Sequence, residues 1–201
     1  MYGRPRGGST SAWTRTRRSG AWMRGEGGRR GQFHWCSLCV VSIDPKFLRA
    51  EELGVRLEVV GGLAIWEAHP VWRHQKAVDR IRASIRKQDG SSCACVHAAD
   101  VYVSFPDGSL KRPDISIFGR EPDEQDDAIT LLPEAVIEVV SKGYEAKDLE
   151  IGPRFYLSHG VKDVLVFDPD TLLVLHVRRD GARRLISPQR IDLECGCTCE
   201  P

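Results

Sequence analysis

Two acids of this chain sit where an ionised carboxylate is expensive, and the residues around them point to one kind of chemistry. Arg112-Pro113-Asp114-Ile115-Ser116-Ile117-Phe118 is a short β-type run. Ile115 and Ile117 fall on one face, Asp114, Ser116 and Phe118 on the other. Pro133-Glu134-Ala135-Val136-Ile137-Glu138-Val139-Val140-Ser141 is a nearly continuous apolar run of strand length, with Glu138 in its middle. Such runs suit a central strand covered on both sides, where a carboxylate needs a partner. A divalent metal ion is the commonest reason to keep an acid there, and Asp114 is a natural second ligand. The plainer alternative is that Glu138 pairs with a neighbouring Arg or Lys.

The elements that must position these acids are legible on either side. The fold is expected to begin near Ser42, where Asp44 as N-cap, Pro45 at the first helical position and Gly54 past the end bracket a short helix. Phe47, Leu48 and Leu53 should face inward. Residues 55–60 and 63–67 read as a hairpin turning on Gly61-Gly62. Glu58, among apolar neighbours in its first strand, is either a solvent-facing acid or an accessory acid of the site. Pro70 to Lys87 is the clearest helix, with Val71, His74, Val78, Ile81 and Ile85 on one stripe. Its Arg and Lys residues lie off that stripe, a solvated face or one that could lie along a phosphate backbone. His74 points inward, where a lone His is more often a hydrogen-bonded core residue than a catalyst.

From Cys93 to Phe105 the pattern is strand-like, and Pro106-Asp107-Gly108 turns the chain toward Asp114. Residues 119–130 are acidic and irregular. After Gly143 a helix is expected from about Glu145 to Ser158, kinked or delayed by Pro153 and closed by Gly160. Strands at Asp163–Phe167 and Leu172–Val177 follow, then one at Arg183–Ile186. The order predicts an α/β fold, a mixed sheet flanked by helices.

Charge and cysteine usage bound the rest. Residues 1–31 carry eight Arg against one Glu, so the net charge of +1 conceals a mildly acidic remainder. No global basic field advertises nucleic-acid binding, and no apolar run has the length of a membrane span. A cytoplasmic protein is the expectation. Residues 1–41 read as a disordered Arg/Gly-rich extension, residues 42–187 as the folded domain and residues 188–201 as a Cys-containing, unstructured tail. Seven Cys, an odd number, fit reduced thiols better than a disulfide framework. His34, Cys36 and Cys39 form a His-x-Cys-x-x-Cys cluster, but no second Cys-x-x-Cys completes a structural zinc site.

Taken together, Leu57-Glu58 before Gly61-Gly62, His74-Gln75, Arg112-Pro113-Asp114, Glu138-Val139-Val140-Ser141, Tyr156, Gly160-Val161 and Phe167-Asp168-Pro169 carry a resemblance. In order and spacing they resemble the PD-(D/E)XK nuclease superfamily and, more narrowly, the restriction-endonuclease group called the Uma-two family. The resemblance covers a little over half of the chain. It implies a restriction-endonuclease-like core in which Asp114 and Glu138 hold Mg2+ (or Mn2+) beside a scissile DNA phosphate. It also implies Glu58 as an accessory acid, with His74 and Gln75 lining or bracing the site, and it leaves room for a homodimer. The superfamily Lys, two residues after the Glu, is Val140 here. The family's usual replacement, a Lys four residues before the Tyr, is Gly152. Lys142, Lys147 and Arg154 are the nearby cations, and Lys142 is the expected substitute because it shares a face with Glu138 if the strand runs that far. The competing reading is a catalytically inactive nucleic-acid-binding or interaction module.

Overall fold

A computed structural model describes residues 45–67, 69–124, 126–143 and 147–201, all within the unit Cys39–Pro201. Expectations for residues 1–41, for Asp44 and for the side chains of Phe47 and Leu48 lie outside the described residues.

In chain order the elements are α1 (Pro45–Glu52), β1 (Leu57–Val60), β2 (Leu63–Trp66), α2 (Trp72–Ser84), β3 (Arg86–Lys87), β4 (Val96–Ala98), β5 (Val103–Ser104), β6 (Leu110–Lys111), β7 (Ile115–Phe118) and β8 (Ala135–Val139). A π-helical turn, Lys147–Ile151, leads into α3 (Gly152–Ser158). Then come β9 (Asp163–Phe167), β10 (Leu173–Arg178), β11 (Gly181–Ile186), β12 (Ile191–Asp192) and β13 (Cys197–Cys199).

The central sheet has the order β11-β10-β9-β8-β7-β4. β8 and β9 run parallel, joined through the π turn and α3, while β7 pairs antiparallel with β8. Every residue of β7, β8 and β9 is buried, as expected for interior strands covered on both faces. On one face Ile115, Ile117, Ile137, Leu165 and Phe167 pack with Ala77, Val78 and Ile81 of α2. On the other, Phe118, Val136 and Val164 pack with Tyr156 of α3 and Phe105. The predicted mixed sheet between helices is the fold.

A second sheet, β2-β1-β6-β5, carries the Gly61-Gly62 hairpin; both glycines have positive φ (56° and 81°), which this two-residue turn requires. Pro153 stands in the first turn of α3, directly after the π turn, so the regular α-helix starts late. Leu53 and Val71, expected inside, are 69% and 66% exposed because each lies just beyond the helical residues that face the sheet. α2 also ends before Ile85, and Arg86–Lys87 turn into β3.

The C-terminal residues overturn the expectation of an unstructured tail. β12, β13 and β3 form a third sheet, and Ile191, Leu193, Cys197 and Cys199 join the core beneath α2. Reduced thiols throughout are corrected as well, because Cys95 and Cys197 are joined by a disulfide. No helix among the described residues is long and apolar enough to cross a membrane.

Candidate active site

Asp114 and Glu138 meet at the ends of two paired strands. Pro113 has no N–H to give, and the chain enters β7 immediately after Asp114. The Asp114 N–H donates to Glu138 Oε2 at 3.2 Å, and the Val139 N–H donates to Asp114 Oδ2 at 2.7 Å. His74, on the first turn of α2, brings Nε2 to 3.1 Å from the same Asp114 oxygen. Tyr156 of α3 donates its hydroxyl to Glu138 Oε1 at 2.6 Å.

Electrostatics follow from this crowding. Burial, and then the Asp114 charge, push the Glu138 carboxyl up to about 8. Burial works against a charged His74, but the bond to Asp114, the Asp114 charge and smaller contributions from Val139 and Asp148 together outweigh it and raise the imidazole. Burial likewise pushes Asp148 up to about 6, eased by the Ser141 N–H that donates to its Oδ2 at 3.1 Å.

Glu58 is brought close, but as the centre of an ion-pair network. The β1–β6 pairing sets Val59 opposite Leu110, so Lys111 reaches Glu58. Lys147 Nζ lies 3.0 Å from Glu58 and 2.8 Å from Glu67, and the Arg112 N–H donates to Glu58 at 2.9 Å. Burial alone would raise the Glu58 carboxyl, but the two ammonium groups hold it below the usual carboxylate range. Lys147 goes the other way: Glu58 and Glu67 overcome burial and keep its ammonium charged.

A cavity of about 40 Å³ opens between these groups, lined by Asp114, Glu138, His74, Gln75, Lys147 and Asp148, with Glu67 and Arg56 at its edge. At roughly 10–15 Å³ per water, that space suits an ion with a little solvent. Glu67 Oε2, a buried oxygen with no hydrogen-bond partner among the described residues, lines the same cavity, and an oxygen-rich donor set fits a hard divalent cation.

Gln75 stands exposed at the cavity wall. Lys142 is not brought in. β8 ends at Val139, and Lys142 lies exposed in the following turn, outside the cavity lining. Lys111 and Lys147 hold the positive charge instead. At Gly152 a Cβ would meet the Lys147 carbonyl at 3.3 Å, so the π turn leaves little room there and delivers its own Lys from one turn earlier. Sequence reasoning missed Lys111 and Asp148. Lys111 sits three residues before Asp114, and Asp148 eight before Tyr156, but neither spacing states that the side chain turns inward.

This fold and acid pair define a restriction-endonuclease-like α/β protein. The family model Uma2, described as "Putative restriction endonuclease", matches residues 44–194, and the chain belongs to that family. A crystal structure described as a putative nuclease belonging to DUF820, from Anabaena variabilis, has the same fold. Its TM-score is 0.52 at 20% identity, over 68% of this chain and 80% of that one. Among curated proteins nothing matches.

Proposed function

We propose that this chain is a divalent-metal-dependent endonuclease that hydrolyses DNA phosphodiester bonds, with Mg2+ or Mn2+ held by Asp114 and Glu138. The observation that carries this reading is the pair of carboxylates fixed on adjacent strands beside an ion-sized cavity. A divalent ion there would lower the pKa of a bound water and neutralise charge on a phosphoryl oxygen.

The chain's own residues have separate tasks. His74 Nε2 and the Val139 N–H orient Asp114 from two sides, and Tyr156 fixes Glu138. Lys147, held protonated by its acid neighbours, cannot act as a base. It supplies fixed positive charge toward a phosphate entering the cavity, as Lys is expected to do where charge develops in the transition state. Asp148, on the cavity wall with its carboxyl raised to about 6, is placed to accept a proton from an attacking water.

One observation favours a second reading, a nuclease fold that binds nucleic acid without cutting it. Both cations next to the acid pair are already engaged, Lys111 with Glu58 and Lys147 with Glu58 and Glu67. A plasmid-nicking assay with Mg2+ or Mn2+, run beside Asp114→Asn, decides between them. Metal-dependent nicking that the variant lacks supports the enzyme. Binding without cleavage on duplex and single-stranded substrates supports the module.

A further inference from the structure

Away from the acid pair, two Cys-x-Cys loops meet at the edge of the central sheet. Cys93-Ala94-Cys95 leads into β4, and Cys195-Gly196-Cys197 leads into β13. The sulfurs of Cys93, Cys95 and Cys197 all lie within 4.8 Å of one another, and Cys93 Sγ is 3.4 Å from Cys197 Sγ. Cys195, half-buried in the loop that closes on them, lines the same open cavity as Cys93 and is placed to supply a fourth sulfur. In a tetrahedral zinc thiolate with Zn–S near 2.3 Å, sulfurs are about 3.8 Å apart, so the spacing of Cys93, Cys95 and Cys197 needs only small shifts, and Cys195 must swing in to complete the set.

The backbone is built for this approach. Gly196 has φ +83°, and a Cβ on it would meet Ser91 Oγ at 2.3 Å, so only glycine lets the second loop close on the first. Gln88 N–H donates to the Gly196 carbonyl at 3.0 Å, and Ser91 Oγ to the Cys195 carbonyl at 3.3 Å, locking the loops together. Cys95 adopts φ +52°, which a non-glycine residue rarely does. Its N–H donates to Cys93 Sγ at 3.3 Å, a bond that strengthens when the sulfur is a thiolate.

We propose that Cys93, Cys95, Cys195 and Cys197 form a structural zinc site that fastens the C-terminal β12–β13 segment to the nuclease-fold core. The Cys95–Cys197 disulfide uses only two of the converging sulfurs and leaves Cys93 and Cys195 as thiols beside it. Reduction of that bond by a dithiol supplies two electrons and two protons and oxidises the dithiol to its own disulfide. The resulting four thiols each release a proton to solvent as Zn2+ binds, so uptake strengthens with rising pH. An open cavity of about 480 Å³, walled by Cys93 and Cys195 among others, gives the ion and the reductant their route.

The test uses the full chain, reduced with excess dithiothreitol, exposed to Zn2+ and desalted under reducing conditions. The expected result is one tightly held zinc per chain, with Co2+ substitution giving the intense thiolate-to-metal band of a tetrahedral sulfur site. Cys93→Ser and Cys195→Ser should lose the metal, whereas the double variant Cys36→Ser/Cys39→Ser keeps it. Circular dichroism checks that the variants fold; if the buried Cys93→Ser does not, the half-exposed Cys195→Ser decides. No zinc on the reduced wild type overturns the proposal, as does zinc that survives in a folded Cys93 or Cys195 variant or disappears with Cys36 and Cys39.

Discussion

Asp114 and Glu138 hold each other's strands: the backbone N–H of Asp114 donates to the Glu138 carboxylate, and the N–H following Glu138 donates to the Asp114 carboxylate. Burial first, and then the charge of the neighbouring Asp114, raise the Glu138 carboxyl. A divalent cation bound between the two acids, as proposed, would offset both effects. At a hundredfold excess over its Kd, it should stabilise the fold by about 2.7 kcal/mol. Thermal unfolding with Mn2+ or Mg2+ against EDTA measures this.

Asp114→Asn separates metal binding from fold. In EDTA the variant trades a charged acceptor for a neutral one while relieving repulsion with Glu138, so it should lie within about 1.5 kcal/mol of wild type. The rise in midpoint on adding Mn2+ should vanish. An undiminished rise in Asp114→Asn would put the ion elsewhere.

The cation assignment predicts an order of rates. Lys147→Ala should slow cleavage by about 10²–10³, the usual cost of losing one electrostatic donor, whereas Lys142→Ala should cleave like wild type. Lys142 is exposed, so its substitution should change stability by no more than about 0.5 kcal/mol. The two variants compared at equal folded concentration are the measurement. A dead Lys142→Ala beside an active Lys147→Ala would return the role to Lys142.

What was legible in the sequence is what local pattern controls. The Gly61-Gly62 hairpin, the α2 stripe through His74, Val78 and Ile81, and the buried β7 and β8 runs are written in periodicity and turn chemistry. The two acids were visible because a charge inside an apolar run is conspicuous. Lys111 was not, because a Lys after a turn reads as solvated; only the long-range pairing of Val59 with Leu110 directs it onto Glu58. Lys142 misled for a related reason: alternation gives a side chain's face only while the strand lasts, and β8 stops at Val139. The C-terminal strands were hidden by their brevity. Two or three residues carry no readable period, and Cys-Gly-Cys-Thr-Cys acquires its burial from α2 and β3.

That burial makes the C terminus essential. Ile191, Leu193, Cys197 and Cys199 are each under 5% exposed, and burying one large apolar side chain is worth about 1.5–3 kcal/mol. Deleting residues 188–201 should therefore remove a large share of the roughly 5–15 kcal/mol that holds a domain folded. The truncated chain should show no cooperative thermal transition. A midpoint within a few degrees of wild type would mean that these strands merely rest on the core.

Below about pH 4, part of the pH dependence of stability should come from Asp163. Its side chain is fully buried at the start of β9, with His176 Nε2 at 2.7 Å, Arg178 Nε on the same oxygen and the Glu194 N–H at 2.8 Å on the other. Burial alone would raise this carboxyl, but the bonds from His176, Arg178 and Glu194 prevail and hold it below the ordinary Asp value. A carboxyl depressed in the folded state contributes stability that is complete above the unfolded pKa, about 3.9, and is lost as pH falls through the lower folded value. Asp163→Asn keeps one acceptor but turns an N–H donor toward partners that also donate, so it should cost about 1.5–3 kcal/mol at pH 7. The gap between wild type and variant should hold steady down to about pH 4 and narrow below it, as wild type loses the same charge by protonation. Urea unfolding of both proteins from pH 7 to pH 3 tests this, and a gap that stays constant over the whole range would show that the Asp163 charge does not hold β9, β10 and the C-terminal segment together.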